Sequence, residues 1–169
     1  MIRNIFVFFF LILVIFSVFP AKKDFNASTI LVIIDESENG ETVINEAPVS
    51  DGIFDALWEN DRIIFFDMKI QTPLNFVNEN LDINPFINDA KGAGADSILL
   101  IKIGYSFKEE KNNYVLNVKE YYYNFYSIIE QKSLTVGKKE LVLNKKIGIE
   151  DKNSLLNQLG VRIINEIYN

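Results

Sequence analysis

Residues 90–104, Ala-Lys-Gly-Ala-Gly-Ala-Asp-Ser-Ile-Leu-Leu-Ile-Lys-Ile-Gly, are the stretch that decides the fold. The glycines at 92 and 94 are typical of a helix end, where glycine supplies the C-cap and the turn. Residues 97–103 are apolar with little alternation, which predicts a strand covered on both faces. Because the glycines follow a helix and precede a strand, they do not form a dinucleotide-binding loop, which has the opposite order.

Two more strands are predicted before this stretch. Residues 29–34 (Thr-Ile-Leu-Val-Ile-Ile) form a β-branched run, and residues 62–66 form a second apolar strand. Between them, Ser50 is expected to cap a helix whose apolar residues recur at helical spacing. Asn84 and Pro85 are expected to begin the helix that the glycines end.

Two long strands and a helix are predicted after it. A polar turn at 109–113 separates residues 97–103 from a strand over 114–129, and a further strand covers about 134–147. Asp151 is expected to cap the last helix. The order β-α-β-α-β-β-β-α predicts an α/β (α+β) fold, with a single mixed sheet of about five strands and about three helices.

The longest predicted strand carries consecutive aromatic residues. Apolar and polar residues alternate from 114 to 118, but the aromatics that follow break the period of two: Tyr121, Tyr122, Tyr123, Phe125 and Tyr126. Either a β-bulge shifts the alternation, or this end of the strand is covered on both sides. The rings then either pack against the last helix or form an exposed tyrosine patch for a partner protein.

Residues 1–21 are expected to form a hydrophobic N-terminal helix that is a signal peptide or a membrane anchor. Arg3 precedes an apolar run that extends to residue 19. Both alternatives stay open, because Phe19 and Phe25 spoil the cleavage pattern and the run is short against the roughly twenty residues of a spanning helix. Either one places a linker (22–28) and a single α/β domain (29–169) in the periplasm, held at the inner membrane if the leader is retained.

Composition excludes several classes of function. The chain contains no His and no Cys. It therefore cannot build a Ser-His-Asp triad, a zinc site of the common kinds, a c-type haem attachment or a lipidated cysteine. Its net charge of −6 argues against nucleic acid, which requires a positive surface. No cofactor is expected, and the chain is not expected to be an enzyme.

Acidic residues at the ends of two strands suggest an alternative. Asp35 and Glu36 follow the first strand, and Asp67 follows the second. At the edge of the sheet these oxygens could hold a hard cation such as calcium. No loop has the spaced pattern of a specific calcium site. The other interpretation is that these acidic residues lie in loops and are solvated.

Residues 90–104, with the polar turn and residues 114–118 (Tyr-Val-Leu-Asn-Val), resemble a block of small bacterial envelope domains. These are the TolB amino-terminal domain, CsgG and the penicillin-binding-protein activators. The resemblance covers about half of the domain and implies a periplasmic α/β domain that binds envelope proteins and catalyses nothing. The chain lacks the lipoprotein cysteine and the propeller found in that group. Residues 53–58 also resemble part of spirochaete envelope proteins.

These observations predict a non-catalytic, exported adaptor or assembly factor whose partners are other envelope proteins, and the membrane if the leader is uncleaved. The expected interface residues are Trp58, Tyr121, Tyr122, Tyr123 and Tyr126. The first alternative is a periplasmic ligand- or cation-binding module. The next is a carboxylate-based hydrolase, which would need two acids about 5–10 Å apart in a cleft.

Overall fold

The structure is a computed structural model that describes residues 29–43, 47–60, 62–65, 73–110, 113–147 and 151–168. The predicted leader and linker lie outside these ranges, as does Asp67. None of the helices within them has the length and apolar composition needed to cross a bilayer.

Eight strands and three helices follow one another along the described chain. They are β1 (Thr29–Glu38), β2 (Glu41–Thr42), α1 (Pro48–Glu59), β3 (Ile63–Phe65), β4 (Phe76–Val77), β5 (Asn80–Leu81), α2 (Ile87–Ala93), β6 (Ser97–Glu110), β7 (Asn113–Ser127), β8 (Lys132–Ile147) and α3 (Lys152–Tyr168).

The main sheet is mixed, in the order β2-β1-β6-β7-β8, and β3 also pairs with β1. β1 runs parallel to β3 and β6, whereas β6, β7 and β8 form an antiparallel meander. This arrangement confirms the predicted fold class. The unpredicted elements are short: β2, and the hairpin of β4 and β5.

Different segments cover the two faces of the sheet. Helices α1 and α3 pack on one face, which we call the helix-covered face, and they bury aliphatic and aromatic side chains of β1, β6 and β7. On the opposite face, the segment from residue 73 to 95 covers apolar residues of β1 and β6. We call this side the loop-covered face.

Helices α1 and α3 cross at glycines. A Cβ atom added to Gly52 would lie 1.9 Å from the backbone oxygen of Asn157, and one added to Gly160 would lie 2.1 Å from the backbone oxygen of Val49. The two backbones are therefore in direct contact. The last helix buries one apolar face, which carries Leu156, Leu159, Ile163 and Ile167.

The predicted cap of the first helix is wrong. α1 begins at Pro48, and its N-cap, Ala47, makes no side-chain hydrogen bond. Glu36 of β1 takes over the capping role, because its carboxylate accepts hydrogen bonds from the backbone N–H groups of Val49 and Ser50. The Ser50 hydroxyl also donates to Glu36, at 2.7 Å.

The predicted cap of the second helix is also wrong. A short 3₁₀ turn, Asn84–Phe86, precedes α2, which begins at Ile87 without a side-chain cap. The Asn84 side chain donates instead to Asp82. The predicted glycine end is confirmed, because Gly94 is the C-cap in the left-handed conformation, with φ 74°.

A β-bulge explains the aromatic run of β7. The register with β8 shifts between Val118 and Glu120. Before the shift, Leu116 and Val118 face the helices; after it, the odd-numbered Tyr121, Tyr123 and Phe125 do so. The extra residue reverses the alternation, as the first predicted explanation requires. The second explanation also holds, because Tyr122 and Tyr126 pack against the core of the loop-covered face.

Candidate partner-binding surface

The five residues predicted to bind a partner lie in three different environments. Tyr121 and Tyr123 are buried in the helix-covered core, where the Tyr121 hydroxyl donates to Glu166 of α3 at 2.8 Å. Tyr122 and Tyr126 are half-buried on the loop-covered face. Trp58, at the end of α1, exposes 74% of its surface.

These five residues do not form one patch. Tyr121 and Tyr123 are buried in the helix-covered core and have almost no surface to offer a partner. Trp58 belongs to a helix on the helix-covered side, whereas Tyr122 projects from the other face of the sheet. Of the five, only Tyr122 and Tyr126 share a face of the sheet and remain partly exposed there.

Tyr122 forms the wall of a groove on the loop-covered face. The Phe76 ring of β4 meets it edge-on, with 4.9 Å between the ring centroids. The Lys138 ammonium of β8 lies 5.4 Å from the centre of the same ring. The groove has a volume of about 580 Å³ and is lined by Phe76, Glu79, Asn80, Tyr122, Gly137 and Lys138.

Glu120 binds two of the residues that line this groove, Tyr122 and Lys138. Its carboxylate accepts a hydrogen bond from the Tyr122 hydroxyl at 2.6 Å and forms an ion pair with Lys138 at 2.6 Å. The hydrogen bond to Glu120 raises the pKa of Tyr122, and a hydrogen bond to Glu120 also raises the pKa of Lys138. A tyrosine and a lysine are protonated at neutral pH even at their ordinary pKa values, so the Lys138 group that faces the ring is a cation.

The hairpin of β4 and β5 brings Phe76 to the groove and leaves Val77 exposed beside it, outside the lining. Phe76 is 43% exposed and Val77 is 50% exposed. The two residues between the strands, Asn78 and Glu79, have φ of 50° and 67°. Two positive φ angles are typical of the tight turns of hairpins, but a glutamate adopts this conformation at a cost.

Sequence reasoning missed this hairpin for a physical reason. Its strands contain only two residues each, too few for an alternating pattern to appear. The one available signal was Asn78, since asparagine tolerates a positive φ better than other non-glycine residues. The Glu79 that follows it is not a residue type that predicts such a turn.

Asp35 does not take part in a cation site with Glu36. Its carboxylate lies on the loop-covered side, where it accepts a hydrogen bond from the backbone N–H of Leu74 at 2.9 Å and pairs with Lys102. Asp35 is buried, so these two partners compensate for the loss of water around its charge.

Glu36 points to the other face. Besides the N–H groups of α1, its carboxylate accepts a hydrogen bond from the Tyr105 hydroxyl at 2.8 Å. Burial and the nearby Glu36 charge raise the pKa of Tyr105. Consecutive residues of a strand project to opposite faces, so Asp35 and Glu36 cannot coordinate one ion. Within the described ranges, no three acidic residues gather as metal ligands.

The fold is similar to those of solved bacterial proteins. A PelC dodecamer from Paraburkholderia phytofirmans matches with a TM-score of 0.50 and 10% identity, over 83% of this chain and 89% of that chain. The LpoB C-terminal domain from Salmonella enterica matches at 0.42 and 15%, over 68% and 82%. TolB from Acinetobacter baumannii matches at 0.42 and 17%, over 88% of this chain and 29% of its own.

TolB, whose amino-terminal domain residues 90–104 resemble, is among the matched structures. At a TM-score of 0.50 and 10% identity, the PelC match shows a shared fold alone. No protein-family model and no curated protein sequence matches the chain.

Proposed function

We propose that the protein is a non-catalytic adaptor of the bacterial envelope that binds another envelope protein through the groove on the loop-covered face. The observation that carries this proposal is the aromatic pair Phe76 and Tyr122, which lies beside exposed Val77 and charges of both signs. Aromatic rings next to polar groups are typical of the centres of protein interfaces.

The position of the groove suits an extended segment of a partner. Lys138 belongs to β8, which in the described sheet pairs with β7 and forms the edge. The backbone groups of an edge strand can pair with a strand from another protein. A segment added there would have β8 between it and β7, at about 10 Å from the strand of Tyr122, so its longer side chains could reach the ring.

A photocrosslinking experiment in cells tests this function. A photoreactive amino acid at Val77 is compared with the same probe at Asn153, an exposed residue of α3 on the other side of the sheet. We expect a discrete adduct with an envelope protein from Val77 and none from Asn153. The same adduct from both positions would contradict the proposal.

Two variants test whether the captured protein sits in the groove. Phe76→Ser and Tyr122→Ser should each reduce the adduct by about fivefold or more, because truncating a central interface aromatic commonly costs over about 1 kcal/mol of binding. Thermal unfolding checks that Phe76→Ser, whose ring is already partly exposed, stays folded. Undiminished capture by both folded variants would place the contact elsewhere.

A further inference from the structure

Two exposed apolar side chains have no role in the groove. Trp58 is 74% exposed and Ile129 is 71% exposed. Trp58 belongs to the last turn of α1, and Ile129 belongs to the turn between β7 and β8. They are far apart in the sequence and belong to different elements, but the fold places both at the same end of the sheet.

Backbone hydrogen bonds place Trp58 near the start of β1. The carbonyl of its neighbour Leu57 accepts a hydrogen bond from the N–H of Arg62 at 3.3 Å. Strand β3 begins directly after Arg62, and its first residue, Ile63, is in register with Thr29. The end of α1 therefore lies at the end of the sheet where β1 begins, which we call the Thr29 end.

Ile129 lies at the same end. The N–H of Asp96 donates to the carbonyl of Thr29 at 3.0 Å, and the N–H of Ile128 donates to the carbonyl of Asp96 at 2.9 Å. Two successive hydrogen bonds thus connect the turn of Ile129 to the first residue of β1. The Thr29 end carries both of the most exposed large apolar side chains among the described residues.

The sequence before Thr29 indicates what this end faces. An apolar run extends from residue 5 to 19, and nine residues, 20–28, connect it to β1. Nine residues span at most about 30 Å even when fully extended. If the run is held in a bilayer, the Thr29 end is the part of the domain that the chain tethers beside the lipid surface.

We propose that the Thr29 end rests on the bilayer surface, with Trp58 and Ile129 entering the interface between headgroups and acyl chains. Tryptophan is enriched at this depth of a membrane, because its ring is amphipathic. The inference rests on the envelope location in the proposed function and on retention of the leader. The apolar run before Thr29 is shorter than the roughly twenty residues of a typical membrane span. The proposed contact would therefore give the protein a second attachment to lipid.

The charges around the two side chains do not favour an anionic membrane. Glu59 is exposed beside Trp58. Near Ile129, Lys132 forms an ion pair with Glu130 at 2.6 Å. Because acidic and basic groups are both present, the contact depends on the apolar side chains, and neutral phosphatidylcholine vesicles are the appropriate probe.

The chain contains a single tryptophan, so its intrinsic fluorescence reports on Trp58 alone. The full-length protein is reconstituted into phosphatidylcholine vesicles, with and without bromine atoms on the acyl chains. We expect the emission to shift to shorter wavelength, and to lose about half of its intensity in brominated vesicles, because an indole ring at the interface lies within reach of the quencher.

A matched control moves the tryptophan to the opposite end of the domain. In the double variant Trp58→Phe, Glu41→Trp, the reporter lies in β2, beside the far end of β1, whose ten residues extend about 33 Å. It should not be quenched. A second probe, Trp58→Phe with Ile129→Trp, should be quenched like Trp58. Circular dichroism confirms that each variant is folded.

Equal quenching of the Trp58 and Glu41→Trp reporters would overturn the inference, as would a protein that does not remain with the vesicles. Neither result affects the groove, which the crosslinking from Val77 tests independently. Strong quenching of Trp58 and of the Ile129→Trp reporter, with little quenching at position 41, supports the inference.

Discussion

The two faces of the main sheet are covered by different kinds of structure. On the helix-covered face, α1 and α3 meet backbone to backbone, and the buried hydroxyls of Tyr105 and Tyr121 each donate to a carboxylate. On the loop-covered face, the cover consists of a short hairpin and a helix of seven residues. The aromatic pair Phe76 and Tyr122 remains at the surface there. The helix-covered face is tightly packed, whereas the loop-covered face leaves aromatic surface exposed.

Three neighbouring tyrosines show that the face, and not the residue type, determines the role. The Tyr121 ring is fully buried. Burial is the main reason that the pKa of its hydroxyl is raised, and the hydrogen bond to Glu166 raises this pKa further. Tyr123 is buried on the same side. Tyr122 projects the other way, where its hydroxyl and ring contact Glu120, Lys138 and Phe76. Of these three residues of β7, only Tyr122, which lies on the loop-covered face, is available to a partner.

The largest effect is expected from filling the helix crossing. In Gly160→Ala, the new methyl group would lie 2.1 Å from the backbone oxygen of Val49, a contact that only a shift of the helices can relieve. We expect the free energy of unfolding to fall by about 3 kcal/mol, at the upper end of the usual cost of overpacking. Urea denaturation measures the change.

The matched control is Gly92→Ala. This glycine lies inside α2, and an added Cβ would have no atom within 4 Å. Alanine favours a helix by up to about 1 kcal/mol over glycine, so the variant should be as stable as the parent or slightly more stable. If both substitutions had the same effect, the close contact of the helices could not be the reason.

A smaller effect is expected from removing the charge of Glu36. In Glu36→Gln, the amide group would face the N–H groups of α1 and the Tyr105 hydroxyl, and it could accept fewer of their hydrogen bonds. We expect a loss of about 2 kcal/mol, because hydrogen bonds to a buried charged group contribute about 1.5–3 kcal/mol. Thermal or urea unfolding provides the measurement.

Glu38→Gln is the control for this substitution. Glu38 lies two residues along the same strand and pairs with Lys152 at 2.7 Å, where both side chains are about a third exposed. A surface ion pair of this kind contributes at most about 1 kcal/mol. If Glu38→Gln were as destabilising as Glu36→Gln, the helix cap supplied by β1 would have no special importance.

The main sheet was predictable because its strands are long and apolar. Unbroken runs such as residues 29–34 and 97–103 have no other stable place than between two covered faces. The last helix was predictable from one apolar stripe. The break in the alternation of β7 was also visible, but the sequence alone did not distinguish a bulge from cover on both sides.

The caps and the groove were not predictable, because they depend on contacts between distant segments. Nothing near Ser50 in the sequence indicates that Glu36, fourteen positions earlier, accepts the hydrogen bonds of α1. Phe76 and Tyr122 meet only because a hairpin with two-residue strands folds over β7. The periodicity of apolar residues, two for a strand and 3.6 for a helix, does not show which distant segments come into contact.

The smallest expected effect sharpens the comparison, because here stability and binding should change in opposite directions. Glu79 has a φ of 67°, a conformation that glycine adopts without strain. Glu79→Gly should therefore raise the free energy of unfolding by about 0.5–1 kcal/mol, the strain relieved minus the extra freedom of the unfolded chain. Asn78→Gly, at a φ of 50°, is the control and should gain less, since asparagine already tolerates this region.

The same substitution removes a carboxylate from the wall of the groove. If the groove binds a partner, Glu79→Gly should weaken the crosslink from Val77 although the protein is more stable, and Asn78→Gly should leave the crosslink unchanged. A strained residue is retained where its side chain has a function. Capture that rises or stays constant with the added stability would indicate that Glu79 is merely tolerated in the turn, and that the loop-covered face does not use its charge.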